Sequence, residues 1–204
     1  MSSSRIALFL LLVVALVGCS HRPKSTPAAT ATPATSIPTL GGTMTQTPPT
    51  DAEVAAYTEK AKTSLVRITT NKGVIDLEMY FDDAPVHVAN FMKLTEAGFY
   101  NGLAFHRVVA DFVIQGGDPK GDGSGGPGYT INAEFNSRKH LDGSLAMARA
   151  SDPDSAGSQF YICLGPQEFL DGNYTVFGQT VAGLDVVQKI AIGDVMEKVE
   201  IVQK

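Results

Sequence analysis

Several stretches of this chain carry residue types at spacings that catalysis or ligand binding could use. Gly121-Asp122-Gly123-Ser124-Gly125-Gly126 matches G-x-G-x-x-G, the turn that in a nucleotide site presents helix-terminal amides to a pyrophosphate. Such a site needs a helix opening at the last glycine. Pro127-Gly128-Tyr129 follows instead, without helical periodicity, so the stretch reads as a surface loop. Asp118, Lys120 and Asp122 fall at EF-hand spacing, but a lysine at the third position repels Ca²⁺ and the twelfth position is Tyr129 rather than Glu. Ser158, in Gly157-Ser158-Gln159-Phe160, lacks the second glycine of a nucleophile elbow. None of His87, His106 and His140 is an obvious base for it. The carboxylates form no signature for glycoside hydrolysis. Cys163 lies in the apolar run Phe160-Tyr161-Ile162-Cys163-Leu164, where a thiol behaves as a small hydrophobe. Two cysteines without a nearby His or Asp cluster do not make a metal site. Neither a metal nor a cofactor is expected.

The elements that would position a site begin near Ser64. Leu65-Val66-Arg67-Ile68-Thr69-Thr70 alternates and is rich in β-branched residues. Asn71-Lys72-Gly73 turns, and Val74 to Tyr80 alternates again, as a hairpin does. Pro85 stands where a helix N1 proline belongs, Val88, Phe91, Met92 and Thr95 follow at helical spacing, and Gly98 is placed as C′. Strand-like runs follow at Ala104–Val109, Phe112–Gln115, Leu145–Arg149, Gln159–Leu164 and Val176–Val181. A second helix is expected over Leu184–Ile190, and a last strand over Lys198–Val202. Many strands, two separated helices and no βαβ alternation predict a mainly β fold with an antiparallel sheet. Closing that sheet into a barrel would remove its exposed edges. The 20 glycines suit tight turns between strands. With 44% hydrophobic and 18% charged residues and a net charge of −5, the chain has the make-up of a soluble domain. It has no basic excess for nucleic acid. A monomer is expected, because no apolar helix or strand is left without a place in the barrel.

The first 62 residues read as address and tether. Arg5 and the apolar run Ile6 to Gly18 form the charged and hydrophobic regions of a signal segment. At about 1.5 Å per residue the run is too short for a bilayer of roughly 30 Å. It ends in Leu16-Val17-Gly18-Cys19, which resembles the bacterial lipobox. That resemblance implies cleavage before Cys19, giving a signal peptide over 1–18, and acylation of the cysteine with chains such as palmitate. The implied location is extracytoplasmic, on a membrane, at the cell surface or in the periplasm. Residues 19–62 are expected to carry the lipid and a disordered tether. The Pro, Thr, Ala and Ser of His21 to Thr50 offer too little apolar surface to offset ordering entropy. Within it, Asp51 to Lys62 could form a short helix with Asp51 as N-cap.

Two blocks in residues 63–204 are very similar to cyclophilins. One is Phe105-His106-Arg107-Val108-Val109-Ala110-Asp111-Phe112-Val113-Ile114-Gln115-Gly116-Gly117-Asp118. The other runs from Met147-Ala148-Arg149-Ala150 through Gly157-Ser158-Gln159-Phe160-Tyr161-Ile162 to Phe169-Leu170-Asp171-Gly172-Asn173-Tyr174-Thr175-Val176-Phe177-Gly178. The resemblance covers the domain from about Val66 onward. It implies a closed eight-stranded antiparallel β-barrel capped by two α-helices, and peptidyl-prolyl cis/trans isomerase activity on proline-containing polypeptides. It also implies that Arg107 is the catalytic cation, that Gln115 orients it, and that Phe112, Val113, Tyr161 and Leu170 line the pocket for the proline ring. Ala148, Arg149, Gln159, Phe169 and Tyr174 would contact the neighbouring peptide or the pocket rim.

The chemistry agrees with that reading. Rotation about an amide faces a barrier near 18–20 kcal/mol because the nitrogen lone pair is delocalised, and X-Pro bonds interconvert over tens of seconds or more. A catalyst must bind the twisted amide better than either planar one. A fixed cation donating to the prolyl nitrogen, whose lone pair is localised only in the twisted state, would do so. The alternative is a chaperone module that binds proline segments and turns them over incidentally. Phe169 stands where many eukaryotic members carry a tryptophan that helps bind cyclosporin. Arg149, Tyr174 and Val113 replace their asparagine, histidine and methionine. These departures predict weak cyclosporin binding.

Overall fold

The computed structural model describes residues 46–204. The expected signal segment, Cys19 and the first part of the expected tether lie outside the described residues. Helix α1 (Asp51–Thr63) opens the described chain. Its N-cap is Thr50 rather than Asp51. The Thr50 side chain accepts from the Glu53 amide, and the Glu53 carboxylate accepts from the Thr50 amide at 2.8 Å. This reciprocal capping box satisfies two otherwise orphaned donors, which Asp51 alone could not. α1 is tied to the following helix by Tyr57–Glu96, Lys60–Glu96 and Glu53–Lys93 contacts. Residues 51–62 therefore form the short helix their sequence allows, and it is packed on the domain rather than part of a disordered tether.

Strands β1 (Ser64–Thr70) and β2 (Gly73–Met79) form the expected hairpin, and β1 is buried at every second residue. Helix α2 (Pro85–Glu96) starts on Pro85, and Gly98 takes a left-handed φ of +69° just past its end. Then come β3 (Arg107–Val109), β4 (Val113–Gly116), β5 (Ser144–Met147), β6 (Phe160–Cys163), a 3₁₀ turn (Glu168–Leu170) and β7 (Val176–Ala182). Helix α3 (Leu184–Val187) and β8 (Met196–Gln203) complete the order. α3 is shorter than the expected Leu184–Ile190. After Val187 the amides of Lys189 and Ile190 bond to Val186 and Val187, three residues back, so the coil tightens out of α geometry while Ile190 stays buried.

All pairings are antiparallel, in the order β3-β4-β6-β5-β7-β2-β1-β8. The expected closure of the barrel does not occur. The sheet is a curled half-barrel in which β3 and β8 do not pair. β3 is only three residues long, and the chain before it meets the start of β8 only through an isolated Ala104–Val195 bridge and a few amide bonds between residues 102–105 and 193–196.

The alternation of strand side chains builds two apolar layers. Ile114, Leu145, Met147, Phe160 and Ile162 join the main core, where Phe91 meets Tyr100, Phe160 and Phe177 at centroid distances of 5.0, 5.3 and 5.4 Å. Val113, Ala146, Tyr161 and Cys163 face the other way and pack with Leu170 and Val176 in a second cluster. This is why β5 and β6 are buried at every residue. The second cluster is the floor of the site.

Candidate active site

Strand register brings the predicted residues together. Arg107 on β3 pairs with Gln115 on β4, and Gln115 pairs with Tyr161 on β6. Between β3 and β4 the chain turns through Asp111, which holds a left-handed φ of 59°, a conformation that Asp tolerates better than most residues. Its carbonyl accepts from Gln167 Nε2 at 2.8 Å. That turn sets the position of Phe112. Arg107, Phe112, Val113, Gln115, Ala148, Arg149, Tyr161, Leu170 and Tyr174 surround a hollow of about 210 Å³. Val113, Tyr161 and Leu170 are buried in its wall. An adjoining groove of about 720 Å³ shares Gln115, Ala148 and Arg149 and reaches Gln159.

The Arg107 guanidinium is held from two sides. Its Nη1 donates to Gln115 Oε1 at 3.2 Å, and its carbon lies 5.5 Å from the centre of the Phe112 ring. Gln115 Nε2 donates in turn to Gln159 Oε1 at 2.9 Å. Phe169 is 68% exposed and stacks on Phe112 at 5.6 Å, so it stands at the rim and not in the hollow. Arg149 flanks the site, but its donors are used locally on the carbonyls of Asn173, Ala150 and Ser151. Its carbon lies 4.6 Å from the Tyr174 ring centre. A guanidinium occupied in this way supports the rim more than it reaches for a peptide. His106, next to Arg107 in sequence, does not line the hollow.

Two residues under the site escaped the sequence reading. His140 is buried; its Nε2 lies 3.0 Å from the Tyr161 hydroxyl and its Nδ1 lies 3.0 Å from Asp171 Oδ1. An ionised Asp171 only accepts, so Nδ1 carries the proton and Nε2 accepts from Tyr161. The backbone and ring donors of His140 hold the Asp171 carboxyl low, at about 2. Burial pushes His140 below its ordinary value, against the pull of Asp171. It also drives the Tyr161 phenol well up. The one hint in sequence was the presence of Tyr161 inside an apolar run, since a buried hydroxyl needs a partner. Cys163, on the same face, is a buried free thiol pushed up to about 12 by burial, and so is unreactive.

Comparison with known proteins agrees with this geometry. Residues 65–204 match the family described as "Cyclophilin type peptidyl-prolyl cis-trans isomerase/CLD". A peptidyl-prolyl cis-trans isomerase of Helicobacter pylori (strain ATCC 700392 / 26695) is 51% identical over 145 residues, covering 69% of this chain and 88% of the relative. Peptidyl-prolyl cis-trans isomerase B of Bacillus subtilis (strain 168) is 50% identical over 129 residues, covering 62% and 90%. A crystal structure of a Cryptosporidium parvum cyclophilin type isomerase, determined in the presence of the dipeptide Ala-Pro, superposes with a TM-score of 0.65 at 30% identity. It covers 69% of this chain and 99% of its own. With a catalytic-type domain matched along essentially its whole length, the chain belongs to the cyclophilin-type peptidyl-prolyl cis-trans isomerase family.

Proposed function

We propose that this isomerase turns X-Pro bonds of exported or surface polypeptides, using Arg107 to stabilise the twisted amide, while a lipid on Cys19 holds it at a membrane outside the cytoplasm. The observation that carries the mechanism is the placement of Arg107. Its guanidinium sits at the mouth of a hollow walled by Phe112, Val113, Tyr161 and Leu170, with Gln115 fixing its Nη1 side. A proline ring in that hollow would present its nitrogen toward the rim, and the adjoining groove of about 720 Å³ offers room for the chain beside it. A bond from a charged donor is worth about 1.5–3 kcal/mol, and each 1.36 kcal/mol is tenfold in rate. Made only in the twisted state, that bond accounts for roughly 10- to 100-fold, with the remainder left to binding and water exclusion by the hollow.

The extracytoplasmic setting rests on Leu16-Val17-Gly18-Cys19 following Arg5 and a short apolar run. More than one acyl chain is needed for stable anchoring, at about 0.8 kcal/mol per buried CH₂. Expression of the full chain followed by membrane fractionation tests this: Cys19→Ala is expected to release the protein or stall its processing. Unchanged membrane association would refute the anchor. Refolding assays limited by proline isomerisation test the client class, and a full chain that binds unfolded proline-containing protein without accelerating its refolding would make it a binding module instead.

A further inference from the structure

The glycine-rich loop that suits neither nucleotide nor calcium has a different use. Asp118, at its start, is 2% exposed. Its Oδ1 accepts from the Lys120 amide at 2.8 Å, and its Oδ2 accepts from the amides of Asp122 at 3.1 Å and Gly123 at 2.5 Å. Burial raises this carboxyl, but the surrounding amides more than offset it and hold it below its ordinary value. The loop is therefore wound around one buried carboxylate.

Gly125 is shaped to that carboxylate. A Cβ there would lie 1.9 Å from Asp118 Oδ1 and 3.0 Å from the Lys120 nitrogen, although Gly125 has no left-handed φ that would demand glycine. Its neighbour Gly126 is a natural contrast, since a Cβ there would meet nothing within 4 Å.

The wound loop turns two carbonyls onto Gln159. Gly123 O and Gly125 O each accept from Gln159 Nε2 at 2.9 Å. An amide nitrogen has two protons, and both are thereby used. Gln159 Oε1 is left as an acceptor, so Gln115 must turn its Nε2 toward it and its Oε1 toward Arg107 Nη1. Reversing either glutamine would set carbonyl against carbonyl or donor against donor.

We propose that Asp118, by winding this loop, fixes the polarity of the Gln159–Gln115 relay and so acts as a positioning residue for the Arg107 guanidinium. The inference rests on the role proposed above for Arg107.

The test uses the full chain with a proline peptide as substrate, comparing Gly125→Ala, Gly126→Ala, Asp118→Asn and Arg107→Ala. Gly125→Ala is expected to lower kcat by between about 10- and 100-fold, the scale of a displaced positioning group, with KM within about twofold. Gly126→Ala, at a residue that lines the adjoining groove, is expected to keep kcat unchanged, because its Cβ meets no part of the wound loop. In the unaltered protein, both Gln159 Nε2 protons should be protected from exchange by NMR, and protection should be lost in Asp118→Asn. If Gly125→Ala does not fold, Asp118→Asn must show the same kcat-specific loss. Unchanged kcat in the folded variants, a loss confined to KM, an equal loss in Gly126→Ala, or unprotected Gln159 protons would each overturn the proposal. Activity retained by Arg107→Ala would instead remove the role of Arg107. Loss in Arg107→Ala with full activity in Gly125→Ala and Asp118→Asn would remove only that of the loop.

Discussion

Tyr161→Phe removes one oxygen from beneath the hollow and leaves the ring in place. Tyr161 is 5% and His140 is 1% exposed, so water cannot replace the lost partner of His140 Nε2 without entering the packed layer around Val113, Ala146 and Leu170. A buried polar atom stranded in this way costs about 1–3 kcal/mol. For a chain of this size that corresponds to a fall in the thermal midpoint of roughly 2–12 °C. The wall presented to a proline ring is unchanged, so kcat and KM are expected to stay within about twofold. Circular dichroism melting and an isomerase assay on the same samples provide the readout. The reciprocal change His140→Asn, and the double variant, form a cycle whose coupling is expected at about 0.5–1.5 kcal/mol. An unchanged midpoint would show that the Tyr161–His140 bond contributes nothing. A loss of kcat beyond tenfold would show that the phenol acts on the substrate, and the division between wall and support drawn here would be wrong.

Other consequences follow from groups at the edge of the site and behind it. Glu134→Gln is expected to destabilise the chain by about 1–2 kcal/mol. α2 has no side-chain cap of its own, and Glu134 accepts from the amides of Val86 (3.0 Å) and His87 (2.8 Å) and pairs with His87 Nδ1. Burial raises that carboxyl, but His87 and the two amides outweigh it. Its stabilising effect is therefore present above the ordinary carboxylate range and is lost as pH falls through the lowered value, a slope that Glu134→Gln should flatten. His140 is held below its ordinary value by burial, so its contribution is complete above about pH 6.5 and declines on acidification. A midpoint-versus-pH series should show that decline as pH falls below about 6.5 toward the lowered value, and His140→Asn should remove it. Cyclosporin is expected to inhibit weakly, because Phe169 offers an exposed rim ring where many eukaryotic members have tryptophan; nanomolar inhibition would contradict this.

Most of the strands were legible from period-two alternation or a short apolar run, as in Leu65–Thr70, Val74–Tyr80 and Gln159–Leu164. α2 was legible from Pro85 and Gly98. The open seam was not, because it depends on how few residues of β3 find a partner across the sheet, and Ala104–Val109 looked long enough to continue. The shortening of α3 was hidden for a related reason: Leu184, Val187 and Ile190 fall on one stripe whether the last turn is α or 3₁₀. In the site, Arg107 and Gln115 stood out through a motif of fixed spacing. Gln159, placed at the peptide groove from resemblance, uses its amide inside the protein. That could not be read locally, since its partners Gly123 and Gly125 are more than thirty residues away. The His140–Asp171 pair under Tyr161 is likewise long-range, and neither residue carries a local signature of it.

The central claim is that Arg107 favours the twisted amide rather than merely the bound peptide. The direct measurement is NMR exchange of a proline peptide saturating the full chain, in the unaltered protein and in Arg107→Ala, with the dissociation constant measured in the same titration. On this account the cis–trans exchange rate on the enzyme falls by at least about tenfold, from a lost charge-assisted bond of about 1.5–3 kcal/mol, while the dissociation constant moves by no more than about threefold. An unchanged exchange rate, or a change confined to affinity, would contradict it.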